Sequence, residues 1–167
     1  MGSQNSAFRY ALDAGAFYTG ILFLSSTLSY YTTPAILDEV KHIKRSHGAI
    51  EALLESNTLQ IVKSDRKSVE KVIAAAKRSG DYVNLSQADI SIIALALQLE
   101  IVLMTNDYAV ANVASILKIP VKSTVGKGIK EIRKWSSYCT ACGRAFGPNV
   151  RECPLCGNRL RRKYKVI

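Results

Sequence analysis

The chain has 167 residues, of which 48% are hydrophobic, and it carries 23 basic against 13 acidic side chains, a net charge of +10. This length fits one medium-sized domain with a buried core plus a small module, and the chain has no internal repeat or low-complexity tract. Residues 14–37 are uncharged, but glycines, a serine- and threonine-rich patch and Pro34 interrupt them, which makes a poor membrane-spanning helix. The start of the chain also lacks the pattern of a signal peptide, so we expect a cytoplasmic protein.

The order of apolar and helix-forming segments predicts strands that alternate with helices. The strands are expected at 8–12, 29–33, 59–62, 101–104 and 119–121. The helices are expected at 14–24, 34–46, 49–55, 67–78, from 86 to the next strand, and 108–117. This alternation is typical of the α/β class, with a parallel sheet that helices cover on both faces. Functional side chains of such folds collect beyond the carboxyl ends of the strands.

Acidic residues follow these predicted strands. Asp13 comes directly after the first strand, and Asp107 comes three residues after the fourth. Asp89 lies in the first turn of the apolar helix that starts at Ser86, and Glu39 lies in the helix after the second strand. If the sheet has the usual right-handed connections, these segments converge on one cleft. Four carboxylates in one cleft require cations, and oxygen ligands favour Mg²⁺ or Mn²⁺.

Helix capping is the alternative explanation for these acids. Asp13 and Asp107 can cap the helices that follow them, and Ser86-Gln-Ala-Asp89 resembles a capping box. Taken singly, each acid is better explained by capping or by a solvated helix face than by catalysis. Their joint placement favours a metal site, and the hydroxyl groups of Ser86 and Thr105 can support the carboxylates by hydrogen bonds.

All the cysteines of the chain lie in its last quarter. They form two C-x-x-C pairs, Cys139 with Cys142 and Cys153 with Cys156, separated by ten residues and each followed by glycine. This spacing predicts one structural zinc ion held by four thiolates, with no position left for water or substrate. Two disulfides are the alternative, but no export signal accompanies the cysteines.

The positive charge is concentrated in the same part of the chain. Residues 127–167 hold eleven basic and two acidic side chains, which account for nine of the ten net charges. This excess favours binding to a polyanion such as RNA, and an ordinary solvated surface is the alternative. The sequence therefore predicts four regions: a disordered N-terminus at 1–6, an α/β domain at 7–126, a basic linker at 127–137, and a zinc ribbon with a basic tail at 138–167.

Four acidic segments and the cysteine module carry a family resemblance. The segments are Leu12-Asp-Ala-Gly-Ala-Phe17, Pro34-Ala-Ile-Leu-Asp-Glu-Val40, Leu85-Ser-Gln-Ala-Asp-Ile-Ser91 and Thr105-Asn-Asp-Tyr108. With the basic segment 126–135 and the cysteines, they resemble the PIN-domain endoribonucleases of the archaeal Nob type, which trim the 3′ end of small-subunit ribosomal RNA. The resemblance covers nearly all of the chain after residue 6. It departs at Asn106, where the family often has a second aspartate.

The resemblance implies a metal-dependent endoribonuclease that acts on precursor 16S rRNA during ribosome biogenesis. In that reading Asp13, Glu39, Asp89 and Asp107 hold the catalytic Mg²⁺ or Mn²⁺. The partners it implies are the pre-ribosomal particle and, as a candidate, a KH-domain assembly factor. The residues expected to contact RNA are basic or aromatic: Lys127, Lys130, Arg133, Lys134, Trp135, Tyr138, Arg144, Arg159, Arg161 and Arg162.

Two other functions fit the same residues. One is a toxin-like PIN ribonuclease that acts on transfer or messenger RNA, although such toxins usually lack a zinc ribbon. The other is a zinc-ribbon RNA-binding assembly factor whose acidic cleft has only a structural role. Metal-dependent cleavage of single-stranded RNA separates this second alternative from both nucleases.

Overall fold

A computed structural model describes residues 8–19, 28–41, 47–125 and 131–167. The predictions for the N-terminal six residues, for Lys127 and Lys130, and for the ends of the helices expected at 14–24 and 34–46 lie outside these residues. Within the described part of the chain, no helix has the length and apolar character needed to cross a membrane.

Five parallel strands form the sheet of the larger domain. They are β1 (Arg9–Leu12), β2 (Ser29–Thr32), β3 (Leu59–Ile61), β4 (Val102–Met104) and β5 (Val121–Lys122), in the order β3-β2-β1-β4-β5. The predicted α/β class with a parallel sheet is confirmed. The chain moves outward from β1 through β2 to β3 and then returns to place β4 on the other side of β1. A crevice therefore opens at the carboxyl ends of β1 and β4, where the strand order reverses.

Helices connect these strands. They are α1 (Ala14–Tyr18), α2 (Pro34–Val40), α3 (His47–Glu55), α4 (Arg66–Ser79), α5 (Gln87–Leu99) and α6 (Tyr108–Ile116). Outside α1 and α2, the predicted bounds agree within two residues. Helices α1 and α2 end at Tyr18 and Val40, and their predicted continuations to 24 and 46 fall mainly on residues outside the described ranges. Local signals explain this agreement, as at α4, where the Asp65 carboxylate accepts from the Ser68 N–H (2.7 Å) and Gly80 ends the helix with a φ of 86°.

Helix α5 forms the centre of the core. Its side chains Ile92, Ile93 and Leu95 are fully buried, and the helix packs against β1, β4, α2, α4 and α6. Burial of each such side chain contributes about 1.5–3 kcal/mol. Because α5 is apolar on nearly all sides, the few polar groups at its N-terminal end lie at the edge of the core, beside the crevice.

A second, antiparallel sheet lies in residues 131–167, which we call the ribbon. It contains β6 (Arg133–Tyr138), β7 (Ala145–Phe146) and β8 (Arg161–Val166) in the order β7-β6-β8. Strand β6 pairs along its whole length with β8, from Arg133 opposite Val166 to Tyr138 opposite Arg161. The ribbon therefore begins at least five residues before the predicted boundary at 138, and β6 occupies half of the segment that the sequence assigned to a linker.

The side chain of Asn112 joins the ribbon to the larger domain. Its Oδ1 accepts from the Arg133 N–H (2.7 Å) and its Nδ2 donates to the Arg133 carbonyl (2.8 Å), as a neighbouring strand would. The same Nδ2 donates to Asp81 Oδ2 (2.6 Å), which also accepts from the Ser79 hydroxyl (2.7 Å). Since Ser79, Asp81 and Asn112 are buried, this network fixes the end of α4, helix α6 and strand β6 against one another.

Gly80 permits the ribbon to approach the larger domain closely. We call the contact between the two the seam. A Cβ atom at this position would lie 2.4 Å from Pro148 Cβ and 2.9 Å from Trp135 Cβ. The Arg162 guanidinium donates to the Gly80 carbonyl at 2.7 Å. Any larger residue would therefore push the ribbon away from the domain, in addition to the strain of its positive φ.

We predict that Asn112→Ala lowers the free energy of unfolding by about 2–4 kcal/mol. The substitution leaves the Asp81 carboxylate and both main-chain groups of Arg133 without this partner in a buried place. Urea unfolding of the full chain measures the loss. Asn84→Ala, at an exposed position, is the matched control. Equal stability of the two variants would contradict the proposed role of this network.

Candidate functional site

Asp13 and Thr105 lie side by side at the crevice. Leu12 and Met104 are register partners, and the Asp13 N–H extends the pairing by donating to the Met104 carbonyl (3.2 Å). The Thr105 hydroxyl donates to Asp13 Oδ2 (2.6 Å) and accepts from the Asp107 N–H (3.0 Å). One hydroxyl group therefore links the segments that carry two of the predicted catalytic acids.

Burial and neighbouring charges act together on Asp13. The residue is 6% exposed, and this burial raises the pKa of its carboxyl group above the ordinary value. The charges of Asp89 and Asp107 raise the pKa further, while the hydrogen bonds from Thr105 and the Ala14 N–H lower it. The cleft thus holds negative charge that its hydrogen bonds do not fully compensate.

Asp89 and Asp107 also cap helices. Asp107 Oδ1 accepts from the N–H groups of Ala109 (2.7 Å) and Val110 (3.0 Å). Asp89 Oδ2 accepts from the Ser86 N–H (2.7 Å) and the Ser86 hydroxyl accepts from the Asp89 N–H (3.1 Å), so the predicted capping box is present. Each cap occupies one carboxylate oxygen and fixes the direction of the other. Capping and metal binding are therefore compatible roles for these residues.

Glu39 reaches the same cleft from α2. It is exposed, yet partial burial raises its pKa and the charge of Asp89 raises it further. Helix α2 is held against α5 by a bond of 2.7 Å between the hydroxyl groups of Thr33 and Ser91. Sequence reasoning missed these two residues. The signals for them were a threonine immediately before Pro34, at a helix start, and a serine within an otherwise apolar helix.

The four carboxylates suit a hydrated divalent cation. All are oxygen donors, and the pKa effects among them show that they share one electrostatic environment. Among the described residues, only the cysteines bring three or more ligand atoms within 4.8 Å of one another. No three of the acids meet this criterion, so a cation held among them would keep water molecules as some of its ligands.

Asn106 has a different role from that of its neighbour Asp107. Its Oδ1 accepts from the Ser123 hydroxyl (2.7 Å) and the Thr124 N–H (3.0 Å), and its Nδ2 donates to the Thr124 hydroxyl. The amide thereby fastens the segment after β5 to the end of β4. An amide, which both donates and accepts, makes all three of these bonds.

The four cysteines converge at one end of the ribbon. The Sγ atoms of Cys139 and Cys156 are 3.5 Å apart, and those of Cys142 and Cys153 are 3.6 Å apart. Four sulfurs around a tetrahedral zinc, with bonds of about 2.3 Å, would be separated by about 3.8 Å. These distances are far beyond a disulfide bond of about 2.0 Å. The pKa of the Cys139 thiol is lowered to about 6, chiefly by the Cys142 N–H and further by contacts with Ala141 and Cys156, which favours the thiolate that binds metal.

Three of the predicted RNA-contacting residues make protein contacts at the seam. The Arg133 guanidinium lies between the rings of Tyr108 and Tyr164, at 4.3 Å and 4.2 Å. The Arg162 guanidinium stacks on Trp135 at 4.6 Å. Of these cation–π contacts, the one with Tyr108 joins the ribbon to the larger domain, and the other two lie within the ribbon. Arg162 is exposed despite these contacts, and the other exposed basic residues of the predicted set, whose side chains are better placed to meet a phosphate, are Lys134, Arg144, Arg159 and Arg161.

We predict that Asp13→Asn stabilises the protein when no Mg²⁺ or Mn²⁺ is added. The folded-state pKa of Asp13 lies above its unfolded value, so its contribution to stability is present at low pH and is lost as pH rises through the folded pKa. At pH 7.5 asparagine removes the buried charge, and we expect Tm to rise by about 2–4 °C, the effect of about 1 kcal/mol in a chain of this size.

Thermal melts at pH 7.5 and at pH 4.5 measure this effect. The gain should shrink at the lower pH, where the wild-type carboxyl group takes up a proton. Asp38→Asn, at a side chain that is 71% exposed, is the control and should leave Tm unchanged. A lower Tm for Asp13→Asn at pH 7.5 would show that the carboxylate stabilises the fold.

We predict that the chain binds one zinc ion at the four cysteines and that Cys156→Ser removes most of it. Loss of one thiolate opens a four-ligand site and should unfold the cysteine end of the ribbon. Because β6 is bonded to Asn112, the larger domain should keep a cooperative transition but at a lower midpoint. Elemental analysis and urea unfolding are the measurements, with Thr140→Ser, in the turn between Cys139 and Cys142, as control. An undiminished zinc content would rule out the four-thiolate site.

The comparisons with known proteins agree with this geometry. Residues 11–99 match the family model described as the PIN domain of ribonuclease. The chain is 34% identical over 155 residues to the endoribonuclease Nob1 of Pyrococcus abyssi, covering 92% of each protein. It is 31% identical over 156 residues to ribonuclease VapC1 of Thermoplasma acidophilum, covering 93% of this chain and 78% of that one.

A eukaryotic relative shares a shorter region. The chain is 38% identical over 80 residues to the 20S-pre-rRNA D-site endonuclease NOB1 of Saccharomyces cerevisiae, which covers 48% of this chain and 17% of that one. The archaeal match covers 92% of this chain, so it includes most of the ribbon as well as the larger domain. The chain belongs to the PIN-domain ribonucleases and, among them, to the Nob1 endoribonucleases, enzymes that hydrolyse phosphodiester bonds in RNA.

Proposed function

We propose that this endoribonuclease uses Mg²⁺ or Mn²⁺ to cleave precursor 16S rRNA at its 3′ end during ribosome biogenesis in the cytoplasm. The observation that carries the metal-dependent chemistry is the Thr105 hydroxyl, which binds Asp13 and the Asp107 main chain across neighbouring strand ends. The substrate is supported by the yeast relative, which is named as an endonuclease of 20S pre-rRNA. The pre-ribosomal particle, with a KH-domain assembly factor, is the partner that this function implies.

In this proposal Asp13 and Asp107 are the principal metal ligands, and Glu39 and Asp89 complete the site. The bound ion would activate water and neutralise charge on the scissile phosphate. The protein contributes fixed carboxylate positions, because Thr105 orients Asp13 and the α6 N-terminus orients Asp107. Protons compete with the cation for Asp13, whose pKa is raised by burial, so metal affinity should fall as pH falls.

In this proposal the ribbon binds the RNA. Its zinc site fixes the two turns that carry the cysteines, and its exposed basic residues present phosphate-binding groups on one module. The boundary between linker and ribbon is then best placed before Arg133, because β6 is part of the ribbon sheet. Lys127 and Lys130, which precede it, remain predicted RNA contacts.

A PIN ribonuclease that acts on transfer or messenger RNA is the second candidate. The similarity to ribonuclease VapC1 along most of the chain supports a different RNA target for the same acidic cleft. Incubation of the protein with a precursor 16S 3′-end fragment, a transfer RNA and a messenger RNA fragment separates the two candidates. Cleavage of only the precursor fragment at one position supports the rRNA function, and equal cleavage of all three contradicts it.

We predict that Asp13→Asn and Asp107→Asn each reduce metal-dependent cleavage by about 100-fold or more. RNA affinity should stay within a few fold, since neither residue is one of the basic side chains of the ribbon and asparagine still accepts the capping bonds. Cleavage with Mn²⁺ and filter binding without it are the two measurements. Asp38→Asn controls for loss of one acidic charge. Undiminished cleavage by both variants would end the metal-site proposal.

A further inference from the structure

A cavity of about 270 Å³ opens at the seam between the ribbon and the larger domain. It is separate from the acidic cleft, because none of the four acids lines it. Val83, in the turn after α4, lines it from the domain. The ribbon contributes Val150, Arg151, Arg159, Leu160 and Arg162. We call this cavity the seam pocket.

The seam pocket concentrates positive charge. Three arginines line it, and no acidic residue is among the residues that do so. The ion pairs found in the described part of the chain involve none of these three guanidinium groups. The nearest acid in the sequence, Glu152, is paired with Arg159 through the main chain. An anion is therefore the expected occupant, because several cations around a small space create a positive potential.

The pocket is partly preformed. The Arg162 guanidinium is fixed by its bond to the Gly80 carbonyl (2.7 Å) and by its stacking on Trp135. The Leu160 N–H donates to the Arg151 carbonyl at 2.8 Å, which holds the two ribbon segments of the wall together. A fixed wall lowers the entropy that is lost when a ligand binds.

Apolar side chains form another part of the wall. Val83 is 57% exposed and Val150 is 37% exposed, although both are aliphatic. A bare phosphate or sulfate ion would gain nothing from these side chains. A nucleotide has both an anionic phosphate and a flat base with apolar faces, so it matches the two kinds of wall. The volume is near the lower limit of about 300 Å³ for small-ligand pockets, which excludes a duplex and admits one nucleotide.

We propose that the seam pocket binds one unpaired nucleotide of the RNA, with its phosphate at Arg151 and Arg159 and its base against Val83 and Val150. This inference rests on the proposed action on RNA and adds a second contact point outside the acidic cleft. Because the pocket is lined by both modules, the bound nucleotide contacts the ribbon and the domain together. RNA binding there stabilises the docked arrangement of the two modules.

Titration of zinc-loaded full-length protein with uridine 5′-monophosphate tests the pocket without any cleavage. We expect saturable NMR shifts of the Val150, Arg151 and Leu160 amides, and loss of these shifts in the double variant Arg151→Gln/Arg159→Gln. Val83→Asn, which keeps the charge, should weaken nucleotide binding several-fold. The double variant Lys134→Gln/Arg144→Gln removes two charges elsewhere on the ribbon and should keep the shifts.

Binding to single-stranded RNA gives the second readout. The pocket double variant should bind about tenfold more weakly, and its salt slope should fall by roughly 0.7, since the pocket neutralises one phosphate and each such phosphate adds about 0.7 to the slope. Inorganic phosphate that binds as tightly as the mononucleotide, or shifts located elsewhere, would overturn the nucleotide site. If the protein cleaves RNA fully but uridine 5′-monophosphate causes no NMR shifts, the nucleotide site in the seam pocket is rejected and the proposed function stands. Mononucleotide shifts without any RNA cleavage would reject the proposed function alone.

Discussion

The parallel pairing of β1 with β4 is the constraint on which the site depends. These strands are neighbours in the sheet although about ninety residues separate them in the chain, and their register places Leu12 opposite Met104. Asp13 and Thr105, the next residue of each strand, therefore lie beside each other at the carboxyl edge of the sheet. A slip of one residue would turn each side chain to the opposite face and break the bond between Thr105 and Asp13. The geometry of the acidic cleft is thus set by the core of the sheet.

Helix N-termini partly offset the electrostatic repulsion in this cleft. Asp13, Asp89 and Asp107 each accept main-chain N–H groups, where the positive end of a helix dipole favours a carboxylate. The raised pKa of Asp13 shows that this compensation is incomplete. A fold selected only for stability would place a neutral residue at such a buried position. A carboxylate at this position is consistent with a cleft that binds a cation. The protein is then less stable when no cation is bound.

The sequence was sufficient to predict features that depend on local signals. The strands, helices and capping box follow from periodicity and from residues such as Ser86 and Gly80, and the cysteine spacing predicts a single cluster. The docking of the ribbon depends on contacts between segments distant in the chain, such as Asn112 with Arg133, which leave no periodic pattern. For the same reason the residue types of Arg133, Trp135 and Arg162 predicted RNA contacts but did not reveal the cation–π contacts that these side chains make within the ribbon.

Helix α6 connects the ribbon to the acidic cleft. Asp107 caps its first turn, and Asn112 binds β6 five residues later, an axial rise of about 7.5 Å. Tyr108, next to Asp107, donates its hydroxyl to the Glu131 carbonyl (2.8 Å) and packs on Arg133. The helix that orients a proposed metal ligand is therefore held by the ribbon at two points. If the ribbon moved away from the domain, α6 would lose these contacts and Asp107 could shift with the helix. The contacts of the ribbon therefore help to fix the geometry of the acidic cleft.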